Sequence, residues 1–357
     1  MASRPCGVIK ETYREDMGFF EKRFHWVGIT LLFLVLLTLP FTASSLVYRL
    51  LTVIMVFSIT IMGLNLLTCS HLFSVMHAAL MGVGAYTVGF LSRPDHLGLS
   101  ITPLPFIVTL PIAGIVTAGV AMFFFLPSLR VKLFYLLFTT TAGQFIIEWL
   151  LCYITKDIPG SVVYCATMGT HLGYPLTDVQ QYYVILAITV IMALFMAHIG
   201  RSPLGKALMM IGEKDYAAQV QGLGLLKYKM IAAAISGFYA GVGGGLYGYI
   251  VGMVTPEHFY YLISWEMLGV GVIVGGLGSL VWGSILGSTV MWGIATGITM
   301  LVGALSAYAP WLGPTAFGFR AILYGAVIAG ILIFEPRGFA ALVRKAKRFF
   351  DLWPFSY

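Results

Sequence analysis

Residues 50–69 read LLTVIMVFSITIMGLNLLTC and contain no charged side chain. An α-helix rises about 1.5 Å per residue, so roughly 20 apolar residues cross the roughly 30 Å of hydrocarbon in a bilayer. The stretch therefore predicts a transmembrane helix. Further runs of the same kind follow it along the chain, which indicates a protein that crosses the membrane many times.

The composition of the whole chain points the same way. Of its 357 residues, 59% are hydrophobic and 10% are charged, whereas an ordinary soluble domain carries about 25% charged residues. An aromatic content of 14% excludes collagen and a disordered chain. The formal net charge is +7, but lysine and arginine stand in short blocks between apolar runs. We therefore expect the basic residues to lie beside lipid rather than nucleic acid.

The length rule predicts an all-α polytopic membrane protein with about ten transmembrane helices. We expect the third segment, which is polar and contains glycine, or the short eighth segment to be broken or re-entrant. The ten predicted segments are Val27–Val47, Leu50–Cys69, His71–Leu91, Thr102–Leu126, Leu133–Ile154, Tyr182–Ile199, Met230–Val251, Ile263–Leu277, Trp282–Ala304 and Phe319–Phe334.

The basic residues also predict the orientation of the chain. If the amino terminus is cytoplasmic and the sides alternate, only Arg49, Arg93, Lys156 and Arg320 fall outside or at the outer edge. The other 17 of the 21 lysines and arginines then face the cytoplasm. Because basic residues resist translocation, this distribution predicts that both termini are cytoplasmic.

The chain is expected to have three parts: a cytoplasmic segment at 1–26, a transmembrane domain at 27–334 and a cytoplasmic tail at 335–357. The first part is too polar for a cleavable signal peptide, so the first apolar run should be retained as a span. The tail is basic and amphipathic, which predicts that it rests on the anionic inner leaflet.

Residues 200–229 form a long polar segment between spans on the predicted cytoplasmic side. A simple connection needs only a few residues. The centre of the segment predicts one or two short amphipathic helices, ended by the glycines at 222 and 224. We expect a docking surface for a soluble partner, and the alternative is an amphipathic loop that rests on the membrane. The candidate docking residues are Ile211, Glu213, Asp215, Ala217, Ala218 and Gly222.

Polar side chains within the spans are costly in lipid, so each one suggests a function. On a continuous helix, His71, Ser74 and Ala78 would share one face and His77 would point elsewhere. A hydrogen-bonded interior histidine and a pathway-lining histidine are both open interpretations, and a metal site is weakly supported.

The fifth predicted span carries Gln144 and Glu148 one turn apart, with Thr140 one turn before them. This stripe would either face a wet cavity that accepts polar substrate groups or form hydrogen bonds between helices, for example to Asn65. Ionisable residues do not recur across several spans, which argues against a proton-driven carrier.

Glycine occurs 41 times, largely within the spans. Small residues four apart, as in residues 237–248, predict close helix packing, with a substrate pathway as the alternative.

Two nucleotide motifs match only by chance. The GxGxxG at 243–248 lies inside an apolar helix, and the loop at 200–206 is followed by Ala207 instead of serine or threonine. We expect this chain to bind no cofactor or metal and to have no catalytic residues.

A series of short motifs recurs in order along the chain. The motifs are Asn65-Leu66-Leu67, Ser74, His77-Ala78-Ala79, Gly82-Val83-Gly84-Ala85-Tyr86, Leu129-Arg130 with Tyr135 and Thr139, Ser202, Gly205, Ala207, Ile211, Ala217-Ala218, Gly222, Tyr228-Lys229, Ser236-Gly237-Phe238-Tyr239-Ala240-Gly241, Leu246-Tyr247, Pro256-Glu257, Gly275-Gly276-Leu277-Gly278-Ser279 and Glu335-Pro336-Arg337-Gly338. Together they resemble the permease subunits of bacterial branched-chain amino acid ABC transporters of the LivM type. The resemblance covers roughly residues 50–340 and is densest between Gly200 and Gly287.

The resemblance implies a permease in the bacterial inner membrane that works by alternating access. Its implied partners are a homologous LivH-like permease, two cytoplasmic ATPases that hold ATP and Mg²⁺, and a periplasmic binding protein. The 200–229 segment would couple to the ATPases. The candidate pathway residues, from polarity and from the resemblance together, are Asn65, His71, Ser74, His77, Tyr86, Tyr135, Thr139, Gln144 and Glu148.

Some positions depart from the family pattern. Thr68, His71 and Met76 stand where glycines are usual, and residues 156–161 replace a glycine-rich segment. These departures lie near the expected pathway, so the cargo is either a branched-chain amino acid or a related solute such as urea, a short amide or an aromatic acid. In the docking segment, Gly212 stands where arginine is usual and Asp215 where glutamate is usual. The alternative function is an autonomous ion-coupled transporter or channel, which would need no docking segment.

Overall fold

The computed structural model describes residues 23–94, 103–128, 133–156 and 176–306, with short pieces between 158 and 169 and isolated positions between 322 and 339. The predicted terminal parts, 1–26 and 335–357, therefore lie almost entirely outside the described residues. The chain divides into two compact units, Met1–Tyr48 and Arg49–Tyr357. The first unit holds α1 and the first residues of α2, and the second holds the other elements.

The described elements are helices joined by turns, with one two-stranded ribbon. The ribbon is antiparallel, with Val163 opposite Val254 and Tyr164 opposite Met253. The elements are α1 (Arg23–Thr42), α2 (Ser45–Cys69), α3 (His77–Ser92), α4 (Phe106–Ser128), α5 (Leu133–Ile154), β1 (Val163–Tyr164), α6 (Asp178–Arg201), α7 (Pro203–Glu213), α8 (Asp215–Val220), α9 (Leu225–Val251), β2 (Met253–Val254), a 3-10 turn (Pro256–Phe259), α10 (Tyr261–Glu266), a π-helix (Met267–Val274) and α11 (Trp282–Ser306).

Six helices in the described part of the chain are long and apolar enough to cross a membrane, namely α2, α4, α5, α6, α9 and α11. An all-α membrane protein is therefore the observed class, while the count of ten spans and the position of the termini stay predictions. Helix α1 covers most of the first predicted span. The last predicted span, Phe319–Phe334, lies largely outside the described residues.

The third predicted span is interrupted. We expected an interruption in either the third or the eighth span. Residues 70–76 are not helical, and α3 begins only at His77. We call residues 70–76 the first interruption. With 16 residues, α3 reaches only ~24 Å. The prediction that His71, Ser74 and Ala78 share one helical face is wrong, because only Ala78 lies on the helix.

A helix-capping motif explains where α2 stops. The amide of Leu72 donates to the Leu67 carbonyl at 3.3 Å, and the amide of His71 donates to the Thr68 carbonyl at 2.9 Å. His71 has φ 53°, the left-handed conformation that this Schellman arrangement requires after the helix. Glycine is the usual residue at such a position, because a side chain there costs energy.

The eighth predicted span is also interrupted. α10 and the π-helix together run only from Tyr261 to Val274, and a turn at residues 275–281 follows, which we call the second interruption. Gly276 and Gly278 have φ of 119° and 78° there, in the region that favours glycine. Both interruptions lie beside other protein segments, as lipid requires of non-helical backbone.

Helix α9 is the most enclosed long helix after α2, and its glycines explain how neighbours approach it. A Cβ atom at Gly84 of α3 would collide with the backbone of Gly241 of α9, and one at Gly237 would come within 3.0 Å of the backbone of Ala118 in α4. Small residues thus allow backbones to meet on two faces of α9. The packing interpretation of the glycine-rich stretch is confirmed.

The second unit has two recognisable ends. At one end, Arg49 of α2 forms an ion pair with Asp178 of α6 at 2.6 Å. Both helices run from there to the other end, where α6 leads into α7 and where Cys69 of α2 lies against Gly212 of α7. We call this second end the α7 end.

Candidate functional site

The start of α3 is held by polar side chains from two other elements. The amide of Ala79 donates to Gln144 Oε1 at 3.0 Å, the amide of Ala78 to Ser264 Oγ at 2.8 Å, and the amide of Val75 to Thr140 Oγ1 at 3.2 Å. The first amides of a helix have no partner within the helix, and in lipid each one must find a partner elsewhere. Helices α5 and α10 supply those partners.

Gln144 is the centre of this network. Besides the Ala79 amide, its Oε1 accepts from Ser264 Oγ at 2.9 Å, and its Nε2 donates to the Phe259 carbonyl at 2.8 Å. The side chain is fully buried. One amide side chain of α5 therefore joins the starts of α3 and α10. We call α3, and α10 with the π-helix, half-helices because each is too short to cross the membrane. The half-helix network consists of Thr140, Gln144, Ser264 and the backbone groups that they bind.

His77 lies next to this network and is also fully buried. Its Nε2 is 2.6 Å from Ser236 Oγ of α9, and its Nδ1 is 3.3 Å from Ser74 Oγ. Both ring nitrogens therefore have a hydroxyl partner. Of the two interpretations that the sequence left open, this geometry fits a hydrogen-bonded interior histidine. The bond between His77 and Ser236 also joins α3 to α9.

Asn65 holds the second interruption. Its Nδ2 donates to the Ser279 carbonyl at 3.0 Å and to Ser284 Oγ at 3.3 Å, and its Oδ1 accepts from the Gly278 amide at 3.2 Å. The suggestion that Asn65 binds the polar stripe of α5 is therefore wrong, since Gln144 has other partners. Both amide side chains stabilise the backbone around a broken helix.

Three other pathway candidates lie apart from the network. His71 is exposed, and its ring stacks on Phe73 with 6.5 Å between centroids. Tyr135 is 64% exposed at the start of α5, and Thr139 donates within α5 to the Tyr135 carbonyl at 2.8 Å. Of the nine candidates, the structure brings together Ser74, His77 and Gln144 at the start of α3.

The last two candidates carry buried polar atoms without a partner. Neither Tyr86 Oη nor Glu148 Oε2 has a hydrogen-bond partner, and Tyr86 is only 2% exposed. The two residues lie on α3 and α5, which pack side by side where a Cβ at Gly82 would lie 3.1 Å from Leu151. Unpaired polar atoms are costly when buried, so they suggest a ligand or a water molecule.

Sequence reasoning missed Ser264 and Phe259. Ser264 is fully buried in α10, where its hydroxyl donates to Gln144 and accepts from the Ala78 amide, while Phe259 contributes only its backbone carbonyl. A hydroxyl within an apolar segment was the available signal for Ser264. A backbone acceptor leaves no signal in the sequence.

At the α7 end, two short helices occupy the predicted docking segment, which confirms the expected helices. Ser202 and Pro203 begin α7, where the Ser202 hydroxyl accepts from the Gly205 amide at 3.4 Å. Gly222, at φ 83°, follows α8. Lys229 of α9 forms an ion pair with Asp215 at 3.1 Å and so fixes the start of α8.

The docking candidates divide into buried and exposed residues. Ile211 and Ala218 are buried, so they anchor α7 and α8 and do not offer a contact surface. Glu213, Asp215, Ala217 and Gly222 are exposed. Tyr216 and Val220, which we had not selected, are 79% and 72% exposed. With Ala217 they form an apolar patch on α8, which we call the α8 patch.

Comparison with known proteins assigns the family. A sequence model of the branched-chain amino acid transport system permease component matches residues 46–334. The chain belongs to this permease family. The resemblance seen in the sequence motifs is thereby confirmed. No solved structure matches the permease.

Two curated relatives are the LivM proteins of Salmonella typhimurium strain LT2 and Escherichia coli strain K12, each described as a high-affinity branched-chain amino acid transport system permease protein. Both are 28% identical to this permease over 266 residues, which cover 67% of this chain. The alignment covers 61% of each relative, so the chain spans less than two thirds of their length.

The family match includes both interruptions, the half-helix network and the α8 patch. The permease is therefore a multi-pass membrane protein of a family of transport-system permease components.

Proposed function

We propose that this permease is the transmembrane subunit of an ABC importer of the bacterial inner membrane. It translocates branched-chain amino acids or a related small solute such as urea, an amide or an aromatic acid. The partners are a second, homologous permease, two cytoplasmic ATPases and a periplasmic binding protein. ATP and Mg²⁺ are held by the ATPases, and this chain binds neither.

The observation that carries the proposal is the α8 patch. Tyr216 and Val220 are large, exposed side chains on a short helix outside the predicted spans. The buried Ala218 on the opposite face and the Asp215–Lys229 ion pair hold this helix in place. A rigid helix with an exposed apolar face suits insertion into a groove of a soluble partner.

The charge distribution supports a cytoplasmic position for the α7 end. Lys206, Lys214, Lys227 and Lys229 all belong to the segment from α7 to the start of α9. Basic residues concentrate on the cytoplasmic side of membrane proteins. The partner that reaches the α8 patch is therefore the ATPase, and the opposite end faces the binding protein.

The interruptions are the parts that suit alternating access. Each one separates a long helix from a half-helix, and the two half-helices meet at Gln144. In transporters, such broken helices commonly form the solute site near the middle of the membrane, and helix bundles move around that site. ATP binding would act through α7 and α8 to rearrange these contacts.

The unpaired atoms of Tyr86 and Glu148 are the best candidates for cargo contacts. A carboxylate oxygen and a phenol hydroxyl suit a donor-rich solute, because the first accepts and the second can donate or accept. An ammonium or amide group offers such donors. His71 and Tyr135 have no comparable support as cargo contacts.

The proposal is tested by placing a charge on the α8 patch. In complexes reconstituted with the ATPases and the binding protein, Ala217→Glu should lower uptake and the stimulation of ATPase activity by about tenfold or more, since an unpaired charge buried at an interface costs about 2 kcal/mol or more. Gln219→Glu, which places the same charge at a neighbouring exposed position, is the matched control. Normal uptake and stimulation in Ala217→Glu would contradict the docking role.

A further inference from the structure

Gly212 of α7 touches the backbone at the end of α2. A Cβ atom at this position would collide with the Cys69 carbonyl oxygen, and it would lie 3.4 Å from the Cα of Ser70. Gly212 is buried and does not have a positive φ. The position therefore requires glycine because of the close approach and not because of its backbone conformation.

The contact lies at the beginning of the first interruption. Cys69 is the last residue of α2, and Ser70 is the first residue of the non-helical segment. Four groups donate to the carbonyls of Leu67 and Thr68. They are the amides of Ser70, His71 and Leu72 and the hydroxyl of Ser70. The turn against which Gly212 lies is thus a closed, hydrogen-bonded unit that can transmit displacement.

The other end of the first interruption leads into the half-helix network. Ser74 contacts His77, and Val75 donates to Thr140. Only five residues separate the contact at Ser70 from Met76, the residue before α3. A displacement of α7 therefore has a short route along the chain to the start of α3.

The second interruption is linked to the same region. A Cβ at Gly200, near the end of α6, would lie 2.7 Å from Leu280 Cδ1. Asn65, one turn before Cys69, holds Gly278 and Ser279. The end of α2 is thus attached to both interruptions.

We propose that Gly212 is a positioning residue for energy coupling, because it seats α7 directly on the Cys69–Ser70 backbone, so that movement of α7 and α8 displaces the first interruption. This inference rests on the proposed function, in which the ATPases act on the α8 patch.

The test separates coupling from docking. In the reconstituted complex, Gly212→Ala should keep cargo-stimulated ATP hydrolysis and lower uptake per ATP hydrolysed by about tenfold, within the usual range of coupling between sites. The matched control is Gly224→Ala in the same segment, where the nearest atom to a Cβ is Lys227 Cβ at 3.9 Å. The control should keep the wild-type ratio.

Two results would overturn the inference alone. One is a Gly212→Ala complex in which both uptake and ATP hydrolysis stay at the wild-type level. The other is an equal loss of both activities, which indicates a merely structural role. A wild-type complex without ATP-driven uptake would overturn the proposed function as well.

A second measurement needs no variant. Hydrogen–deuterium exchange of the wild-type complex should show that residues 203–213 and 69–76 change protection together when the ATPases are trapped with vanadate. Residues 237–248 of α9, packed on several sides, should change little. A change in 203–213 with constant protection at 69–76 would contradict the inference even if Gly212→Ala does not assemble.

Discussion

The two interruptions are stabilised in different ways. Around the first, hydroxyl and amide side chains from α5 and α10 bind the free amides that precede and begin α3. Around the second, glycine backbones make the contacts: a Cβ at Gly287 of α11 would collide with Gly271 of the π-helix. Two side chains from outside the turn also bind its backbone: Asn65 binds Gly278 and Ser279, and Ser284 of α11 donates to the Leu280 carbonyl.

This difference indicates different roles. A junction made by several polar side chains can exchange its hydrogen bonds for others, with a solute, water or a rearranged helix. A junction made by closely packed backbones resists small displacements, because interiors are dense and respond to extra volume with strain. We therefore expect the first interruption to rearrange during transport and the second to act as a support.

The largest effect should come from the first interruption. Gln144→Leu removes the partners of the Ala79 amide, the Ser264 hydroxyl and the Phe259 carbonyl. Leaving such groups unpaired should lower the free energy of unfolding by about 4 kcal/mol, at roughly 1–3 kcal/mol per group. Thermal denaturation in detergent measures this loss. Gln219→Leu, the same change at an exposed position, is the control. If Gln144→Leu and Gln219→Leu were equally stable, side-chain hydrogen bonds would not be what stabilises the first interruption, and the distinction between the two interruptions would be wrong.

A smaller effect is expected at the second interruption. Asn65→Leu removes the bonds to Gly278 and Ser279, but the glycine contacts remain, so we expect a loss of about 2 kcal/mol. Thr87→Val is a suitable control, because the Thr87 hydroxyl donates to the Val83 carbonyl of its own helix at 2.7 Å. If Asn65→Leu were less stable than Gln144→Leu in the same thermal denaturation assay, the second interruption, and not the first, would depend more strongly on side-chain hydrogen bonds.

The smallest effect, with the opposite sign, is expected at His71. Because His71 adopts φ 53°, His71→Gly should relieve strain and raise the free energy of unfolding by about 1 kcal/mol. Uptake by the reconstituted complex should stay at the wild-type level. His77→Leu, which deprives Ser236 and Ser74 of their partner, should instead destabilise the protein. If His71→Gly abolished uptake, the pathway role predicted from the sequence would be restored.

Much of the fold could be predicted from the sequence, because helices in lipid follow from hydropathy alone. The predicted segment Leu133–Ile154 has the same bounds as α5. Glycines in segment 8 signalled its interruption. The sequence did not show at which residues the first interruption lies, because the residue in the left-handed conformation is His71 and not a glycine.

The partners of the polar residues could not be predicted. Gln144 and His77 were singled out by polarity at membrane depth, but their hydrogen-bond partners were not, and Asn65 binds Ser279, which is 214 residues away. Such pairings depend on how the helices are arranged, and a single sequence contains no record of that arrangement. The burial of Ile211 and Ala218 is a further example, since amphipathic spacing alone does not reveal which face of α7 or α8 meets the bundle.

Reconstitution of the purified permease in lipid vesicles tests the central claim most directly. Alone, with an ion gradient imposed and radiolabelled branched-chain amino acids outside, it should show no flux above that of empty vesicles. Addition of the second permease, the ATPases, the binding protein and ATP should start uptake. Sustained flux through the permease alone would contradict the account and favour an autonomous carrier or channel.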